Sequence, residues 1–219
     1  MNIFVESVSI DEIRQFFHAG LADGVVLADS DYGGSGSPEG QDLISVISQE
    51  FAIPVCVEIA AVNSDDMYRE ARELAKISDN IIVQLPLIED AIEPMHRLSL
   101  EGVDVCANFV YTGAQAVLAA KAGASSVRIS IADLDAHGRM SFDVVSEIRT
   151  LLEASSSECD VMVASPRTST EFTESINAGA QTVSMAPHVL QSLLLHPLTD
   201  RGVDKFLSAL SRRPRFTDK

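Results

Sequence analysis

Tryptophan is absent from this chain of 219 residues, and aromatic residues make up only 5% of it. A core without large rings must be filled by Val, Ile, Leu and Ala. That composition suits parallel strands covered on both faces, and a hydrophobic fraction of 46% supplies it. No apolar run approaches the roughly 20 residues of a membrane span. The start, Met1-Asn2-Ile3-Phe4-Val5-Glu6, lacks a basic stretch followed by a long apolar segment, so no secretory signal is expected. Cysteine is scarce and odd in number: Cys56, Cys106 and Cys159 lie far apart, as free thiols in a reducing compartment do. These absences together point to a soluble cytoplasmic protein.

Positive charge is also scarce. The 16 Lys and Arg face 32 Asp and Glu, for a net charge of −16. Such a surface favours solubility and makes nucleic acid and anionic membrane poor partners. The basic exception is Arg212-Arg213-Pro214-Arg215, placed either to meet an acidic neighbouring subunit or to fray as a chain end. His18, His96, His137, His188 and His196 form no pair at ligand spacing, so zinc is not expected, and no motif calls for a cofactor.

What the chain does contain is alternation. Short β-branched runs lie near residues 3–6, 24–28, 54–61, 80–85, 103–110, 126–132, 160–164 and 182–185. Amphipathic stretches separate them, at 10–19 (opened by Ser9 as a cap), 41–51, 65–77, 89–100, 113–122, 142–153 and 170–178. Strand followed by helix, repeated about eight times, is the pattern of a closed parallel barrel. An open doubly wound sheet is disfavoured, because no Gly-x-Gly-x-x-Gly turn follows the first strand. Gly33-Gly34-Ser35-Gly36 follows the second strand instead, with Pro38 between it and the next helix. No linker divides the chain, so residues 1–219 read as a single (β/α)₈ TIM barrel domain.

Several segments carry a more specific resemblance. Ile81-Ile82-Val83-Gln84-Leu85-Pro86, Asn108-Phe109-Val110-Tyr111 with Ala114-Gln115, Leu134-Asp135-Ala136-His137-Gly138 and Val163-Ala164-Ser165-Pro166-Arg167 follow one another in order. The ending His196-Pro197-Leu198-Thr199-Asp200, then Gly202 to Phe206, completes the series. Their order and spacing resemble the transaldolase family, in its small fructose-6-phosphate aldolase-like subfamily, nearly end to end. The resemblance implies a ring-forming homo-oligomer, a pentamer or decamer, in which the terminal helix packs on the next subunit.

That family forms a Schiff base between a fourth-strand lysine and a ketose or dihydroxyacetone unit, chemistry that needs an unprotonated primary amine. Here the position is Gln84, which has no nucleophilic nitrogen. The four lysines are Lys76, Lys121, Lys205 and Lys219. Two sit near helix C-termini, one on the terminal helix and one at the last residue, all away from the strand tips. By the same resemblance the first-strand Asp is Glu6, the third-strand Gln is Glu58 and the fifth-strand Thr is Asn108. The second-strand polar segment has become Val26-Leu27-Ala28-Asp29, the sixth-strand aromatic is Ser130, and the phosphate-gripping Arg is Asp133. Ser165 and Arg167 keep phosphate-binding character, but a carboxylate at 133 repels a phosphate dianion.

The resemblance therefore implies catalytic positions at Glu6, Glu58, Gln84 and Asn108, and substrate-binding positions at Asp29, Ser130, Asp133, Ser165 and Arg167. The leading expectation is a barrel that has lost Schiff-base aldol chemistry, a pseudoenzyme of carbohydrate-metabolism descent whose mouth takes a small neutral polyol or carbonyl ligand. The alternative is a lysine-independent enzyme in which Glu6 and Glu58 act as acid and base on a small carbonyl or sugar-like substrate, with Arg167 as a possible charge partner. A third reading places a hard cation among Glu6, Glu58, Asp133 and Asp29. Cys56 and Cys106 lie two residues before mouth positions and are expected to be buried thiols one layer deeper. His137 is expected to be exposed, with Asp135 capping the turn that follows.

Overall fold

The computed structural model describes residues 1–28 and 33–211. Eight parallel strands close into a barrel in chain order, the eighth pairing back with the first. They are β1 (Asn2–Glu6), β2 (Gly24–Leu27), β3 (Val55–Glu58), β4 (Ile81–Pro86), β5 (Asp104–Asn108), β6 (Ser126–Ser130), β7 (Asp160–Ala164) and β8 (Thr182–Met185). The helices are α1 (Ile10–His18), α2 (Pro38–Glu50), α3 (Ser64–Ala75), α4 (Ile92–Leu100), α5 (Gly113–Ala122), α6 (Ile131–Ala136), α7 (Ser141–Ala154), α8 (Ser169–Asn177), α9 (Pro187–Ser192) and α10 (Pro197–Ser211). This is the (β/α)₈ barrel that the alternation implies. Among the described residues no helix is long and apolar enough to cross a membrane.

Local chemistry starts the helices where they start. Ser9, Ser37, Asn63, Thr112 and Thr168 are extended residues whose side chains each accept the backbone N–H three residues on. Each such cap contributes about 1 kcal/mol. The sixth strand is shorter than its β-branched pattern suggests. It stops at Ser130, whose hydroxyl accepts the Asp133 N–H and opens the short helix α6. Ser130-Ile131-Ala132-Asp133 is a helix-start signature, and it outcompetes the strand tendency of Ile131.

Strand side chains alternate between two faces. Odd-numbered positions such as Val5, Val25, Val57, Val83, Val127 and Val163 meet the helices in the main hydrophobic core. Even-numbered positions enter the lumen, where Phe4, Val26, Cys56 and Met162 pack together with Ile82 against them. Gly24 is required at the bottom: a Cβ there would lie 2.4 Å from the Phe4 ring.

An eight-stranded barrel carries a shear of about eight residues, so each layer across its axis takes side chains from alternate strands. Applied to the observed pairing, this gives an apolar layer of Phe4, Cys56, Cys106 and Met162. The layer above it holds Val26, Gln84, Arg128 and Ser184. Next come Glu6, Glu58, Asn108 and Ala164, and then Pro86 and Ser130 with Ala28 and Ala186 just past the ends of β2 and β8. The lumen thus changes from apolar to polar within one layer.

Candidate functional site

The polar half of the lumen is organised around Glu6. Its carboxylate accepts from Arg128 Nη2 at 2.9 Å, from Ser184 Oγ at 2.7 Å and from Ser165 Oγ at 2.8 and 3.0 Å. The Arg128–Glu6 pair joins strands that are not neighbours, so the guanidinium reaches across the lumen; the two side chains are 18% and 20% exposed. The charge partner of Glu6 is Arg128. Arg167 lies outside, in a hollow of about 290 Å³ with Asp135, Ala136 and Glu171, and its backbone N–H donates to Glu171.

Glu58 lies in the same layer as Glu6 but has a different partner, accepting from Asn108 Nδ2 at 3.0 Å. Asn108 in turn accepts the Phe109 N–H on its Oδ1. Below them sits Gln84, 1% exposed, and neither atom of its amide has a hydrogen-bond partner among the described residues. The Arg128 Nε–H is likewise buried, with no partner among the described residues. Ser130, half-buried, stands in the mouth layer.

The backbone is strained at two strand ends beside this network. Ser165 has φ 53° and Phe109 φ 60°, left-handed values that non-glycine residues adopt at an expense of about 1–3 kcal/mol. At Ser165 the turn is fixed by its N–H donating to the Ser184 carbonyl at 2.8 Å, and it aims the hydroxyl at Glu6. Strain of this kind collects where a site requires a particular side-chain direction.

Asp133 departs from its expected place. It belongs to the first turn of α6, and its carboxylate accepts from the Tyr111 hydroxyl at 2.9 Å. The pair lines a flanking hollow of about 350 Å³ with Leu134, His137 and Arg139. Burial, then the hydrogen bond to Asp133 and its charge, push the Tyr111 phenol up to about 12. His137 is exposed and its Nδ1 meets the Asp133 carbonyl, while Asp135 accepts the Ser141 N–H at the start of α7. Asp29 lies outside the described residues. Among those residues no group of three or more His, Cys, Asp and Glu is gathered to hold a metal. Cys56 and Cys106 are fully buried in the layer beneath the network, where desolvation raises both thiols. That opposes the thiolate a nucleophile requires.

Arg128 is the residue that the sequence positions above leave out. Its signal is the alternation Ser126-Val127-Arg128-Ile129-Ser130, which turns the even, polar positions inward.

Comparison with known proteins agrees with this architecture. The family model for transaldolase/fructose-6-phosphate aldolase matches residues 38–216. A probable transaldolase from Methanococcus maripaludis is 35% identical over 211 residues, covering 95% of this chain and 96% of its own. One from Bartonella tribocorum is 36% identical over 211 residues, covering 95% of each. A third, from Thermodesulfovibrio yellowstonii, is 33% identical over 210 residues, covering 94% of this chain and 96% of its own. A barrel matched over this extent belongs to the transaldolase/fructose-6-phosphate aldolase family.

Proposed function

We propose that this chain is a family member that has lost Schiff-base aldol chemistry and keeps its lumen as a pocket for a small polar ligand. The observation that carries this reading is Gln84. It stands on β4 where the family's lysine is expected, buried, with an amide in place of an amine. The lysines among the described residues give no substitute. Lys76 is paired with Glu73 at the end of α3, Lys121 lines an outer hollow at the end of α5, and Lys205 is exposed on α10; Lys219 lies outside the described residues. The protein is further proposed to be cytoplasmic and a homo-oligomer held through α10.

The alternative, acid–base chemistry by Glu6 and Glu58, rests on their sharing one layer of the lumen. The donors already on Glu6 count against it, because a base held by Arg128, Ser165 and Ser184 must give up those bonds to take a proton.

Borohydride reduction in the presence of dihydroxyacetone or fructose 6-phosphate, followed by intact-protein mass, tests the proposal. No adduct is expected beside a lysine-bearing family member that does trap. A covalent adduct mapped to any lysine returns the chain to the Schiff-base aldolases.

Restoring the amine alone is not expected to restore the reaction. A Gln84→Lys variant places its ammonium in the layer of Arg128, beneath the Arg128–Glu6 bridge, where a second cation is opposed. Fructose 6-phosphate cleavage should stay at background in a coupled assay. Robust turnover by that single variant would mean that the surrounding changes matter little.

A further inference from the structure

The outer wall of the barrel carries an apolar groove between α4 and α5. Toward the mouth it is a hollow of about 290 Å³ floored by Leu87, Ile88, Ile92 and Leu118. A larger hollow of about 580 Å³ continues it, sharing Ile92 and Leu118 and ending at Lys121 and Ala122. Ile88, Ile92 and Leu118 are exposed, Leu118 at 60%. Aliphatic groups gathered in this way mark a contact surface. Charge is sorted along the groove. Glu89 and Glu93 stand at the mouth end, beside the start of α4, and Lys121 at the far end, in the last turn of α5. Among the described residues neither Glu89 nor Lys121 has an ion-pair partner.

Helix α10 matches this groove in length and in charge order. Val203, Phe206, Leu207 and Leu210 share one of its faces, over roughly 10 Å of helix. On α5 the lining from Gln115 to Ala122 covers the same number of residues. Asp200 and Asp204 lie at the beginning of α10, and the sequence that follows the helix is Arg212-Arg213-Pro214-Arg215. Laid antiparallel to α5, the acidic beginning of α10 meets Lys121 and its basic end meets Glu89 and Glu93. The opposite direction sets like charges together at both ends. Exposed pairs of this kind contribute about 1 kcal/mol or less each, so they select direction while the apolar face supplies affinity.

We propose that the α4–α5 groove receives α10 of a second copy of this chain, antiparallel to α5, with Phe206 and Leu207 over Leu118. The inference rests on reading the chain as a homo-oligomer held through α10, and it supplies the surface on which that helix docks. The helix comes from another copy because β4 and β5 form the wall opposite β8, after which α9 and α10 follow. In the single chain every residue of α10 is exposed. Each copy gives one helix and accepts one. Groove and helix are different surfaces, so the contact is head-to-tail, the kind that closes into a ring when the rotation between copies allows.

Cysteine pairing in the full chain reads the contact directly. The native Cys56, Cys106 and Cys159 are buried, so Leu118→Cys combined with Leu207→Cys supplies the exposed thiols. Mild oxidation should convert most of this double variant to intermolecular cross-links, mapped by peptide mass to positions 118 and 207. Val46→Cys, on α2, combined with Leu207→Cys should give only background. Independently, Leu118→Glu puts a charge in the groove at a position already exposed in the single chain. Light scattering on dilution should then show dissociation at a concentration at least about tenfold higher. A yield at 118–207 no greater than the Val46 control, or an undiminished assembly in Leu118→Glu, overturns the groove as the receiving surface. If deleting the residues after Leu198 does shrink that assembly, α10 still holds the oligomer and only its docking site is wrong. A full chain that runs as a monomer instead removes the oligomer reading beneath the proposal and leaves the groove to a different protein.

Discussion

Replacing Arg128 by methionine is expected to destabilise the barrel by about 3 kcal/mol, the lower end of the range for breaking a buried ion pair from one side. Partial exposure of both partners places it at that end. Glu6 would keep the hydroxyls of Ser165 and Ser184 but lose its counter-charge, in a lumen walled by Phe4, Val26 and Met162 just below. For a chain of this size the melting temperature should fall by roughly 6–12 °C at a fixed protein concentration. A second substitution, Glu6→Gln, should restore part of that loss, because it removes the uncompensated charge. The double-mutant cycle over denaturant unfolding should therefore give a coupling of at least about 1 kcal/mol. A coupling near zero would show that water screens the pair and that the bridge does not close the lumen.

Much of the architecture is legible in the sequence because each strand is a short β-branched run and each following helix has its own start signal. Helix α5 and strands β7 and β8 fall where periodicity places them. Strand ends are less legible, because pairing and not local preference decides where a ladder stops. At Ser130 the cap chemistry of the next helix wins, and it carries Asp133 out of the lumen to Tyr111. The site network is harder to read for a different reason. Arg128 and Glu6 are 122 positions apart, and their contact exists only once the barrel has closed. An arginine inside a barrel is also unexpected by residue type, so its alternation signal is easily passed over. The left-handed turn at Ser165, which aims its hydroxyl at Glu6, has no marker in a sequence that places serine where glycine is the usual choice. Family resemblance supplies positions such as Gln84, but it cannot supply a residue that the family pattern does not use.

Helix α10 provides the second large expected effect. None of its residues is buried, and Val203, Phe206, Leu207 and Leu210 form an apolar stripe at helical spacing. Leu198 and Phe206 are 65% and 63% exposed. A helix of 15 residues is marginal in water without a packing surface. A stripe of this kind needs cover, and a second copy of the chain, as proposed above, would provide it. Deleting the residues after Leu198 leaves the barrel strands untouched, since β8 ends at Met185 and α9 at Ser192. The full chain is expected to elute as an oligomer, and the truncated one as a much smaller species or as an insoluble protein. Light scattering on both would measure the change directly. An elution volume per chain that does not change on truncation would remove α10 from the assembly and leave its apolar stripe to a different partner.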